Sequence, residues 1–103
     1  PLLRALFVGS TSVTDTAMQV IPSYPALVAL DLSDTNVTTD GVCLLKDSLR
    51  LAKLQLRNLP ITDEALAALA KLLLAELDIR GTQISAAAVR EFQESHPDCK
   101  VLH

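Results

Sequence analysis

The chain's 103 residues are half hydrophobic and carry a formal net charge of −3, which fits a single domain or part of a longer array, since one domain most often holds about 100–150 residues. Three aromatics (Phe7, Tyr24, Phe92) and no Trp stand against 20 Leu and 13 Ala, so the core is expected to be aliphatic and built from many equivalent positions. The acidic balance and the scarcity of rings exclude a base-stacking or phosphate-tracking surface, and no nucleic-acid partner is expected.

The opening Pro1-Leu2-Leu3-Arg4 has no initiator Met and no charged segment leading an apolar run, so it carries no signal-peptide pattern. The longest uncharged stretch, residues 16–30, contains Pro22 and Pro25 and cannot supply the roughly 20 apolar residues of a membrane span. No membrane partner is expected. Two Cys are too few for a disulfide scaffold, which points to a reducing, intracellular and cytoplasmic setting.

A period runs through the chain. The segment Leu-x-x-Leu-x-aliphatic begins at Leu3, Leu27, Leu51 and Leu74 and closes on Val8, Leu32, Leu56 and Ile79. Three residues later come Thr11, Thr35, Leu59 and Thr82, and two beyond these Val13, Val37, Ile61 and Ile84. Each of these is followed by a hydroxyl residue: Thr14, Thr38, Thr62 and Ser85. Four units are therefore expected near residues 3–26, 27–50, 51–73 and 74–98, followed by a closing strand at 99–102, all within one domain over 1–103.

Leu-x-Leu alternates with the period of a strand, so the first part of each unit is expected to be one. After the hydroxyl residue the spacing changes to that of a helix, most clearly in Thr62-Asp63-Glu64-Ala65-Leu66-Ala67-Ala68-Leu69. The hydroxyl is expected to cap that helix, with Asp15, Asp63 and Glu64 complementing its positive end. Pro22, Pro25 and Pro97 are expected at helix exits. One such unit cannot bury its apolar face alone, whereas stacked units share a core. That accounts for a composition rich in Leu and poor in rings.

The template Leu-x-x-Leu-x-Leu-x-x-Thr-x-Val/Ile-Thr-(Asp) resembles the leucine-rich repeat family. It is most similar to the cysteine-containing or F-box-associated type. The resemblance spans essentially the whole chain and implies an α/β fold: a right-handed solenoid of about four repeats plus a terminal strand, with short parallel strands on the concave face and α-helices on the convex face. The sequence departs from that type by placing Thr11, Thr35, Thr82 and Leu59 where Cys or Asn is frequent. The three Thr hydroxyls can still bond the loop backbone; Leu59 cannot, and its turn must be satisfied otherwise. Leu3, Leu6 and Val8 would lie beside an unpaired edge, to be covered by upstream repeats or a partner chain.

In such repeats the concave face binds protein partners. Residues expected there include Ala5, Gly9, Ala29 and Ser33, and the candidate binding residues Phe7, Asp31, Lys53, Gln55, Arg57, Glu76, Asp78 and Arg80. Phe7 is the single large apolar group among them, an anchor amid polar contacts. The alternative for Asp31, Lys53, Asp78 and Arg80 is a set of neighbouring ion pairs that keep a parallel sheet soluble, each contributing about 0–1 kcal/mol.

Catalytic, cofactor and metal sites are not expected. His96 and His103 stand at no metal-ligand spacing, the Thr-Asp pairs are explained as caps, and there is no Gly-rich phosphate loop. Cys43 and Cys99 should lie about 14 Å apart across the stack, beyond the roughly 7 Å reach of a disulfide. The expected function is a non-catalytic protein-interaction module, a scaffold or assembly subunit of a larger complex binding through its concave sheet and open N-terminal edge. The alternative implied by the resemblance is the substrate-recognition domain of an F-box-type ubiquitin ligase; bacterial and host-directed repeat proteins also carry this pattern.

Overall fold

Each Leu-x-Leu segment forms a three-residue strand in a computed structural model that describes residues 3–103. Pro1 and Leu2, the start of the segment read above for a leader, lie outside the described residues. The strands are β1 (Ala5–Phe7), β2 (Ala29–Asp31), β3 (Lys53–Gln55), β4 (Glu76–Asp78) and β5 (Lys100–Leu102). They pair in parallel in chain order, β1-β2-β3-β4-β5. Ala5, Ala29, Lys53, Glu76 and Lys100 are aligned in register, as are Leu6, Leu30, Leu54, Leu77 and Val101. The sequence period is thus also the stacking period.

Parallel strands need a crossover, and the apolar side chains of these connections fill the inner face of the sheet. Three connections contain the α-helices α1 (Thr39–Cys43), α2 (Asp63–Ala68) and α3 (Ala86–Ser95). Val42 and Leu45, Leu66 and Leu69, and Val89 and Phe92 from these crossovers join Leu30, Leu54 and Leu77 in one buried cluster. Burying each Leu contributes about 1.5–3 kcal/mol.

The first connection differs from the expected α-helix: Ala17–Ser23 is a 3₁₀ helix. β-branched Val20 and Ile21 are weak helix formers, and Pro22 brings no amide hydrogen, so an α-helical ladder has no donor there. Pro22 consequently lies inside this element and not at its exit. Burial weakens at the same end of the molecule. The nine aliphatics of the later strand segments are all buried, whereas Leu6 and Val8 are half-buried and Leu3 is 37 % exposed. Nine of these twelve aliphatics are therefore buried; among the described residues β1 pairs with a strand on one side only.

The hydroxyl residues also act differently from expectation. Ser85 does cap its helix, accepting a hydrogen bond from the Ala88 amide, but Thr38 and Thr62 make no side-chain cap bond. Thr14 precedes no α-helix. Thr38 and Ser85 both donate backward, Ser85 in addition to its cap bond: Thr38 to Asp15 through its amide (2.7 Å) and hydroxyl, Ser85 to Asp63 through its amide (2.7 Å) and hydroxyl (2.9 Å). Between these, the Thr62 amide donates to the Thr39 hydroxyl at 3.0 Å. Asp15, Thr39 and Asp63 thus join each unit to the next. Gly41 accommodates this arrangement, since a Cβ there would fall on the Asp15 carboxylate and within 2.8 Å of Val37 Cγ1.

Candidate binding face

Each strand is followed by a sharp bend whose backbone repeats from unit to unit. Ser10, Asp34, Asn58 and Gly81 occupy equivalent positions with φ of 61°, 59°, 61° and 77°, the left-handed region tolerated best by Gly and by short polar residues. The Ser10, Asp34 and Asn58 amides donate to the carbonyls of Ser33, Arg57 and Arg80 on the next unit. Thr11, Thr35 and Thr82 then hold their turns by donating to Val8, Leu32 and Ile79 carbonyls at 2.6–2.7 Å. Where Leu59 replaces the hydroxyl it is buried in the core, and the adjacent Asn58 side-chain amide donates to Asp34 Oδ1 at 2.7 Å.

These bends align three rows on the sheet face away from the core. The first is Ala5, Ala29, Lys53, Glu76 and Lys100; the second is Phe7, Asp31, Gln55, Asp78 and Leu102. Gly9, Ser33, Arg57 and Arg80 follow just beyond the strands. All eight candidate residues therefore fall on or beside this face. Phe7 is 67 % exposed, Lys53 and Arg80 are exposed, and Asp31, Gln55, Arg57 and Glu76 are half-buried.

Two positions expected on this surface are buried. Asp78 retains 1 % of its accessibility and Ser33 only 2 %. The cause is the pair of arginines: Arg80 donates to both Asp78 oxygens (Nε 3.0 Å, Nη2 2.8 Å), and Arg57 Nε stands 3.6 Å away. Ser33 Oγ accepts from the Arg57 amide at 3.0 Å and from its Nε at 3.4 Å. Burial pushes the Asp78 pKa up, but the hydrogen bonds from Arg80 and the charges of Arg80 and Arg57 outweigh it and hold the carboxyl below its ordinary value. Asp78 thereby becomes the fixed support under two guanidinium groups that remain about half exposed.

The expected ion pairs are present in altered form. Lys53 meets Glu76 at 3.5 Å, and both arginines meet Asp78, while the Asp31 carboxylate accepts from the Ser33 amide at 2.9 Å.

Other candidates lie away from this face. His96, expected in a loop, directly follows α3. Its ring stacks on Phe92 with centroids 4.1 Å apart, and its nitrogens approach the Phe92 and Ala70 carbonyls at 2.9 and 2.8 Å, which gives it a structural role. Cys43 and Cys99 are free thiols; burial, followed by the nearby carboxylates, raises the pKa of both. Among the described residues no helix is long and apolar enough to cross a membrane, and no group of His, Cys, Asp and Glu is arranged to hold a metal ion. Leu73, 84 % exposed beside the groove between α2 and α3, was not foreseen. In the run Leu72-Leu73-Leu74 both neighbours are buried, and nothing in the spelling marks the middle one as outward.

The fold is that of a leucine-rich-repeat protein. The chain aligns over its full length with the structure of Leptospira interrogans LRR protein LIC12759, with a TM-score of 0.67 and 20 % sequence identity. It spans 26 % of that protein's length. No family model matches the sequence, and no curated protein does.

Proposed function

We propose that this chain is a non-catalytic protein-interaction module that binds a protein partner through the concave, outward sheet face and the open edge of β1. The supporting observation is the exposed Phe7, which shares one row with Asp31 and Gln55 on a sheet whose inner face is already filled with aliphatics. An exposed ring beside fixed polar groups suits an anchor-and-rim interface. The role is that of a scaffold or assembly subunit of an intracellular complex, and upstream repeats or a partner chain cover β1. The winding is a right-handed solenoid of about four repeats plus a closing strand, in keeping with the handedness of parallel crossovers. The Thr-x-Val/Ile-Thr-Asp spelling supports the cysteine-containing, F-box-associated type of repeat.

The test is comparative affinity capture with the wild-type chain, Phe7→Ala and Leu73→Ala, read by mass spectrometry. A partner held by the wild type and Leu73→Ala but lost with Phe7→Ala is the expected result. Partners retained equally by all three proteins would contradict binding through this face.

A further inference from the structure

We infer that the partner presents an acidic side chain to Arg57 and Arg80, on an extended segment that also places an apolar residue against Phe7. This rests on the concave-face reading above. Its basis is one cluster on a face whose charges otherwise balance: two guanidinium groups, Arg57 and Arg80, against one carboxylate, Asp78. Arg57 and Arg80 share the single carboxylate of Asp78. None of the neighbouring acids forms an ion pair with either arginine among the described residues: Glu76 pairs with Lys53, Asp34 accepts from the Asn58 side-chain amide, and Asp31 accepts from the Ser33 backbone amide.

The donors needed for a second carboxylate are already in place. A guanidinium carries five N–H groups, and Arg80 uses Nε and Nη2 on Asp78 while Arg57 directs Nε toward Ser33. Among the described residues, nothing hydrogen-bonds the Nη atoms of Arg57 or Nη1 of Arg80. Both side chains remain about half exposed, at 40 % and 53 %. Because Asp78 and Ser33 hold them in position, little side-chain freedom is lost when a ligand carboxylate binds.

Spacing fixes the shape of the ligand. Arg57 and Arg80 follow β3 and β4, two and three strands from Phe7 in β1. At about 4.8 Å per strand the separation is about 10–14 Å, which an extended segment at about 3.3 Å per residue crosses in three or four residues. The same arrangement disfavours a polyanion, because Asp31, whose carboxylate meets only the Ser33 backbone amide, borders the path. A lone carboxylate fits where a string of phosphates would be repelled.

The test is selection of random linear dodecamer peptides displayed on phage against the 103-residue chain, followed by titration of the enriched peptides as synthetic molecules. The expected peptides carry Asp or Glu three or four positions from an apolar residue. Their affinity should fall about 10-fold with Arg57→Gln, and by a similar factor when the peptide acid becomes an amide, as expected for one charge-assisted hydrogen-bonded contact. Arg57→Lys should recover part of that loss, which separates lost charge from damaged folding. Enriched peptides that lack an acid, bind Arg57→Gln as well as the wild type and are lost with Phe7→Ala would overturn the acidic contact while leaving the concave-face reading intact. No enrichment, or binding indifferent to both Phe7→Ala and Arg57→Gln, would overturn that reading and the acidic contact with it.

Discussion

The first and third units obey the same spelling yet differ physically. In the third, Leu51, Leu54 and Leu56 are fully buried, β3 has a strand on each side, and an α-helix covers the inner face. In the first, Leu3 is exposed, Leu6 and Val8 are half-buried, and the crossover is a 3₁₀ helix. The lesson is that a repeat position is only as buried as its neighbours make it, because each unit in such a stack borrows its core from the adjacent ones. The same asymmetry leaves Phe7 exposed at the end of the sheet where, among the described residues, β1 pairs on one side only.

The largest effect expected from this comparison is in the core. Leu54→Ala should cost about 2–5 kcal/mol, whereas Leu6→Ala, already half exposed to water, should cost about 1–2 kcal/mol; urea denaturation of both variants checks the pair. Equal losses would show that β1 is as tightly packed as β3. Next comes the link between units. Gly→Ala inside a helix ordinarily gains up to about 1 kcal/mol, but Gly41→Ala should lose about 1–3 kcal/mol because its methyl meets Asp15 and Val37. The double variant Asp15→Ala, Gly41→Ala should be less destabilised than the sum of its parts.

The third effect is one of pH. The Asp78 carboxyl lies below its ordinary value in the folded chain, so its contribution is complete above the unfolded value near ~3.9. That contribution disappears as pH falls through the lower folded value. Thermal melts of the wild type should therefore steepen their decline in acid relative to Asp78→Asn, and parallel curves would separate Asp78 from that decline. The smallest effect belongs to Phe7→Ala, which should leave stability within about 0.5 kcal/mol while weakening partner binding.

The strands were legible because alternation at a fixed period leaves few ways to satisfy both the sheet and the core, and β1 to β4 fall within the Leu-x-x-Leu-x-aliphatic segments and β5 within residues 99–102. Helix type was legible only where the local composition favoured it: Ala65, Leu66, Ala67 and Ala68 read as helix, whereas residues 17–23 obeyed Pro22 and the β-branched pair beside it. Of the expected caps, Ser85 bonds the first turn of its helix and Asp63 and Glu64 stand in the first turn of α2, whereas Thr38 and Thr62 make no cap bond, for an instructive reason. A Thr-Asp pair satisfies a local cap rule, but an acid one unit earlier reaches Thr38 and Ser85, a connection visible only once the stacking distance is known. Among the candidate site residues, the face of each side chain followed from the alternation, while the burial of Asp78 depended on two arginines from different turns closing over it.

Native-state hydrogen exchange on the 103-residue chain tests most directly whether burial, and with it stability, is conferred by neighbouring units. Amides that bond the inner units together, such as that of Leu56 just after β3, bonded to the Asp78 carbonyl, should exchange through global unfolding, whereas the Val8 amide bonded to the Asp31 carbonyl should exchange through a smaller, separate opening of the first unit. Equal protection at Val8 and Leu56, with the same denaturant dependence, would contradict that account.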